Sequence, residues 1–183
     1  MERQWRPVGG LGIAAALLVG LVGLADILET AAELTGQDTK AALLAVVFAF
    51  ALVTAAPVFI VWLWRARANA ELIAGRASQR LGRGWGIGGW LVPIVNLWFP
   101  YQYVVDVWRA SAPNRESTTE AVVLTWWLAL LGTWIVSRFE RYDTDHSVAL
   151  LSCALDVVAA VGLVLVIRRI SAWQSVTVAR KCD

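Results

Sequence analysis

The sequence predicts an all-α integral membrane protein with four transmembrane helices and a cytoplasmic-side re-entrant or interfacial segment rich in proline and tryptophan. Three observations predict it. Of 183 residues, 58% are apolar and only 16% charged, with a mean hydropathy of +0.61, where a soluble domain carries about 25% charged residues. Four windows are long and apolar enough to span a bilayer, which takes about 20 residues at 1.5 Å each. None of them alternates with period two, so the spans are helices, the form that satisfies its own backbone in lipid. The chain reads as one polytopic domain over 1–183.

The first window, 8–28, has no charge before Asp26. Arg3 and Arg6 ahead of it and Gly23-Leu24-Ala25 within it also fit a removable signal peptide, but the window is read as a retained first helix. Ala16 and Gly20 give it one small-xxx-small pair for helix packing. The second window, 41–64, is uncharged and contains Pro57, the one proline in any span. The third, 119–136, is the shortest and carries Glu120 near its start. The fourth, 148–167, carries Asp156 at its middle.

Between the second and third windows, 84–108 reads GWGIGGWLVPIVNLWFPYQYVVDVW. Pro93 and Pro100 forbid one continuous helix, because each removes an amide donor and clashes with the preceding turn. The segment is therefore expected to be re-entrant or interfacial, with Asp106 and Arg109 as a local helix pair. Orientation follows from the positive-inside bias. With the amino terminus in the cytoplasm, thirteen of sixteen basic residues lie on the inner side, leaving Lys40, Arg138 and Arg141 outside beside Glu29, Glu33, Asp38, Glu140, Asp143 and Asp145. A multi-pass protein of the cell membrane with both termini cytoplasmic is the expectation.

The motif run Trp64-Arg65-Ala66-Arg67-Ala68-Asn69, Gly84-Trp85, Trp90-Leu91-Val92-Pro93-Ile94-Val95-Asn96, Pro100-Tyr101-Gln102 and Val107-Trp108-Arg109-Ala110-Ser111 resembles a bacterial, largely actinobacterial membrane family, domain of unknown function forty-three twenty-eight. The resemblance is strongest over 62–113 and continues more loosely through Trp126-Trp127 to Gln174. It implies the four-helix layout with a central Pro/Asn/Trp segment. It implies no activity and no catalytic residues.

Function has to be argued from sites. Asp156 falls near mid-bilayer, where a carboxyl costs about 2.5–3.5 kcal/mol on insertion scales and marks a functional position by default. It is the candidate catalytic acid; the plainer reading is a protonated side chain bridging to Thr125 or Thr133. Of eleven tryptophans, Trp5, Trp62, Trp64 and Trp173 suit an interfacial belt. Trp126, Trp127 and Trp134 lie inside the third span, where their faces would stabilise a cation or simply fill a core. An acid beside such faces is what an acid-initiated isoprenoid cyclase needs, and equally what a quinone- or lipid-binding groove looks like. Trp90, Asn96 and Trp98 of the broken segment are further substrate-binding candidates. Arg65, Arg67 and Asn69, with Arg76, Arg80 and Arg83 close by, would bind a phosphate by bidentate hydrogen bonds or attract anionic lipid, or serve topology alone.

Asp26, Glu29 and Glu33 share a helix face. Asp26 and Glu29 are weak candidates for a hard cation, and a solvated acidic surface explains them as well. A single histidine argues against zinc. No phosphate loop, Cys/His metal spacing or nucleophile elbow is present, and no cofactor or nucleic acid is expected. Cys153 and Cys182 lie in different regions, which argues against a mutual disulfide. Membrane lipid and a hydrophobic small molecule are the expected partners. Two readings follow: an intramembrane pocket for an isoprenoid, quinone or lipid substrate, or a non-catalytic module that recruits cytoplasmic partners or anionic lipid through its basic hairpin.

Overall fold

Six α-helices in chain order build the molecule, described here from a computed structural model that covers residues 4–114, 119–139 and 146–182, with side chains over 4–114, 119–138 and 146–177. They are α1 (Gly9–Leu34), α2 (Asp38–Ala74), α3 (Trp85–Leu91), α4 (Phe99–Ser111), α5 (Ala121–Phe139) and α6 (His146–Cys182). Of these, α1, α2, α5 and α6 are long and apolar enough to cross a membrane. Their outward faces carry Leu17, Leu43, Phe50, Val53, Leu128 and Ile135, all exposed. An apolar surface of that extent has no place in water. This is a membrane protein.

Four crossings put both chain ends on one side, called here the terminal side. The spans match the expected windows but overrun them. Each of α2 and α6 has 37 residues, roughly 55 Å of helix against a hydrocarbon core of about 30 Å. The surplus of α2 lies at 65–74, where alanine and arginine, both strong helix formers, carry the helix beyond the apolar run. Gly75 then stops it at φ 83°, a left-handed conformation that a side chain resists. Pro57 stays inside α2. It costs one backbone hydrogen bond without ending the helix, as lipid-embedded helices tolerate.

Pro93 and Pro100 play different parts. Pro93 follows α3 and opens a 3₁₀ turn at Ile94–Leu97. Pro100 does not break a helix: it occupies the first turn of α4, where a missing N–H costs nothing. The expected Asp106–Arg109 pair does not form. Asp106 instead accepts from the Arg80 backbone N–H and Nε, both at 2.8 Å, while Arg109 donates to Glu120.

The spans form a row in the order α2, α1, α6, α5, each packed on the next. Close approach along the row depends on glycine. A Cβ on Gly12 or Gly23 of α1 would meet Ser171 or Ala160 of α6, and a Cβ on Gly162 of α6 would lie 2.9 Å from the Trp126 Cβ of α5. The expected Ala16/Gly20 pair plays no such part, since nothing approaches Gly20. On the terminal side α4 packs against α2, α5 and α6 and closes a dense core of Trp62, Ala66, Ala70, Val104, Val107, Trp108, Val166, Ile167 and Ile170.

A buried polar knot ties that core together. Gln174 Nε2 donates to the Ala66 carbonyl at 2.9 Å and to Ser111 Oγ at 2.8 Å, and its Oε1 accepts from Asn69 Nδ2 at 3.0 Å. Asn69 also grips the amino-terminal segment: its Oδ1 accepts from Arg6 N and its Nδ2 donates to Arg6 O. The molecule is thus solid at the terminal side. At the opposite side the same four helices splay apart.

Candidate functional site

The splayed half encloses a cavity of about 740 Å³ walled by all four spans. From α1 come Val19, Gly23, Asp26, Glu29, Thr30 and Glu33; from α2, Phe48, Leu52, Ala55, Ala56 and Phe59. From α5 come Trp126, Leu130, Thr133, Trp134 and Ser137; from α6, His146, Ala149, Ser152, Cys153, Asp156, Ala159, Ala160 and Leu163. The α1 and α6 sets recur at alternating steps of three and four, one continuous helix face each. Small residues on the α6 face leave the space that larger ones would fill.

The row of helices does not close into a ring, because its two ends, α2 and α5, share no packed interface. The wall residues Leu52 of α2 and Trp134 of α5 are 47% and 41% exposed, so the cavity is open on the side between α2 and α5. Toward the terminal side Trp90 of α3 fills the same gap. Its ring stands edge-to-face against Phe59 of α2 at 6.1 Å and against Trp127 of α5 at 6.2 Å. Trp127 in turn packs on Trp126 at 5.5 Å and donates from Nε1 to the Leu97 carbonyl at 3.0 Å, which anchors the broken segment beneath the cavity. The Trp90 indole N–H is buried with no acceptor from the protein.

Asp156, Trp126, Trp134 and Trp90 therefore share one cavity, with Trp127 directly behind its floor. Asp26 and Glu29 are cavity wall as well as outer surface. The Cys153 thiol sits between α1 and α6, within hydrogen-bonding reach of Thr30 and Asp26 and close to Asp156. Thr133 faces the cavity, its hydroxyl turned back onto the Ala129 carbonyl, whereas Thr125 is exposed. Among the described residues no group of three His, Cys, Asp or Glu is arranged to hold a metal ion. Glu140, Asp143 and Asp145 of the expected acidic outer face lie outside the described residues.

The other candidates lie elsewhere. Arg67 is buried against Glu71 at 3.3 Å, donates to the Leu81 carbonyl and covers the Tyr103 ring at 4.8 Å. Arg83 grips the same Glu71 at 2.6 Å. Burial pushes the Tyr103 hydroxyl up to about 12, so it stays neutral at physiological pH. Asn69 belongs to the knot with Gln174. Arg65 lies on the surface and reaches the Pro7 carbonyl at 3.4 Å. Trp98 is 53% exposed, and Asn96 sits in the 3₁₀ turn outside the cavity.

Comparison with known proteins adds one finding. The pattern of the family described as domain of unknown function (DUF4328) matches residues 25–172. The chain belongs to that family. No curated protein and no solved structure matches it. The DUF4328 match spans all of α2 to α5, most of α6 and the last part of α1, and so takes in the solid core and most of the cavity wall. Among the residues that carry the family resemblance, Asn69, Trp108, Ser111 and Gln174 are buried in the core on the terminal side. Two other residues of the resemblance, Trp90 and Trp126, line the cavity of this DUF4328 member.

Proposed function

We propose that this protein holds a hydrophobic small molecule (an isoprenoid, quinone or lipid) in a pocket that it takes up sideways from the membrane. The observation that carries this reading is the 740 Å³ cavity, which combines a mid-span carboxyl, an aromatic floor and a side open between α2 and α5. A pocket of this size is in the range that holds small ligands. The arginine distribution supports a cytoplasmic terminal side, with the pocket in the outer half of the cell membrane. The test is native mass spectrometry with lipid extraction on wild type and Asp156→Asn. A specific polyprenyl, quinone or lipid species retained by wild type and lost from the variant is the expected result; no specific species in either form would refute the pocket.

A second reading is favoured by the sharing of one cavity by Asp156, Trp126, Trp134 and Trp90. Asp156 in its protonated form would deliver its proton to a terminal alkene of an isoprenoid. The Trp faces would stabilise the resulting carbocation, ring closure would consume a second alkene, and loss of a proton would return the acid. This reading predicts that Asp156→Asn abolishes turnover of a polyprenyl substrate while leaving folded yield near wild type. Equal turnover in wild type and variant would exclude it. The partner-recruiting alternative draws less support, since Arg67, Arg80 and Arg83 are taken up by ion pairs with Glu71 and Asp106.

A further inference from the structure

The sign of the charge around the cavity defines its occupant more narrowly. Four carboxyls line it, Asp26, Glu29, Glu33 and Asp156, and among the described residues no lysine or arginine does. Of the described cationic side chains, Arg67, Arg80, Arg83 and Arg109 form ion pairs on the terminal side, Lys40 bonds Gln37 on the α1–α2 turn, and Arg138 at the end of α5 is exposed outside the cavity lining. Among the described residues, His146 is the one titratable nitrogen in the lining.

The rest of the wall is aromatic. Trp126 and Trp134 lie two turns apart on one face of α5, with Phe59 and Trp90 opposite. Aromatic faces attract cations within about 6 Å of the ring centroid and give nothing comparable to anions. A space with carboxyls at successive depths and ring faces between them repels a phosphate or carboxylate head and accepts a positive one. We infer that the pocket selects a lipophilic cation: an amine, ammonium or similarly charged head held by the carboxyls on α1 and α6, with its apolar body on the aromatic floor and in the α2–α5 opening. The inference rests on the pocket reading above and names its ligand class.

A matched pair of probes isolates charge from shape. Tetraphenylphosphonium and tetraphenylborate have nearly the same size and apolar surface and opposite charge, and triphenylphosphine oxide serves as a neutral relative. Each is titrated into protein purified in a neutral maltoside detergent, with tryptophan fluorescence and calorimetry as readouts and protein-free micelles subtracted. The expected result is saturable binding of the phosphonium at least tenfold tighter than the borate, and a further tenfold loss in Asp26→Asn/Asp156→Asn. Glu29→Gln/Glu33→Gln at the mouth, where substitution disturbs packing least, is expected to weaken the phosphonium and strengthen the borate even if the deeper double variant fails to fold. Saturable binding of the neutral or anionic probe with no preference for the cation would overturn the charge assignment and leave the pocket standing. No saturable binding of any probe would overturn both.

Discussion

Replacing Glu71 with alanine removes the shared acceptor of two arginines, and the two lose very different things. The Arg67 side chain is 2% exposed and Glu71 is 1% exposed, whereas Arg83 is 40% exposed. Without Glu71 the Arg67 guanidinium keeps the Leu81 carbonyl and the Tyr103 face but no counter-charge, and its Nη1 already lacks a partner. Stranding a buried charge costs about 3–5 kcal/mol. Arg83→Ala leaves the Arg67–Glu71 pair in place and frees a half-solvated contact, so its cost is about 1 kcal/mol or less. At about 2–4 °C per kcal/mol for a chain of this length, Glu71→Ala lowers Tm by roughly 6–20 °C and Arg83→Ala by no more than about 4 °C. Thermal unfolding in detergent, followed by tryptophan emission, measures both. The double variant Arg67→Met/Glu71→Leu recovers most of the loss, because a buried ion pair replaced as a unit by apolar side chains is often neutral. Equal shifts for Glu71→Ala and Arg83→Ala would refute the assignment of Arg67 as a buried structural cation and reopen a ligand role for it.

Three more expectations follow from the same geometry. Gly162→Ala places a Cβ 2.9 Å from the Trp126 Cβ and 3.2 Å from its Cα; backbone has to move, at about 1–3 kcal/mol for overpacking, and thermal unfolding should show the loss together with a changed Trp126 emission. Asn69→Leu strands the Arg6 amide and Gln174 Oε1, about 1–3 kcal/mol per orphaned group. Limited proteolysis should then clip the amino-terminal segment before α1, as it does not in wild type. The hydrogen bond from Arg109 holds the Glu120 carboxyl below its ordinary 4.5, so the pair stabilises the fold above that value and loses its contribution as pH falls through the lowered one. The Tm difference between wild type and Glu120→Gln should therefore be constant from pH 6 to 8 and shrink below about 4.5, by a small amount because both side chains are partly exposed.

The spans were legible because lipid demands long uncharged runs, and α1, α2, α5 and α6 fall on the expected windows. Their overrun was not. Hydropathy ends α2 at Trp64, but the helix continues to Ala74 because Arg67, Asn69 and Glu71 find buried partners from α4, α6 and the segment after Gly75. No local pattern encodes those partners. For the same reason Arg67 and Asn69 looked like ligand-binding residues and turn out to be internal fasteners. In the cavity, Asp156 was legible as a carboxyl out of place, and the three tryptophans of α5 as rings in excess of a belt. Missing was the other wall. Asp26, Glu29 and Glu33 read as a helix leaving the membrane, since their distance from α6 depends on Gly12 and Gly23 bringing α1 against Ser171 and Ala160. The three-four spacing of small residues from Ala149 through Ser152 and Cys153 to Ala159 and Ala160 was the available signal for a hollow face.

On the proposed reading the half of this bundle away from the chain ends is a pocket reachable from outside the protein, and Cys153 in its wall reports on it directly. In a Cys182→Ser background it is the single thiol. The rate at which N-ethylmaleimide alkylates it in the folded protein is the measurement. The account predicts measurable alkylation that falls at least tenfold when Ala149→Trp fills the cavity, at a Tm close to that of the parent. A Cys153 that is inert until the protein unfolds, or whose rate ignores the added tryptophan, would contradict it.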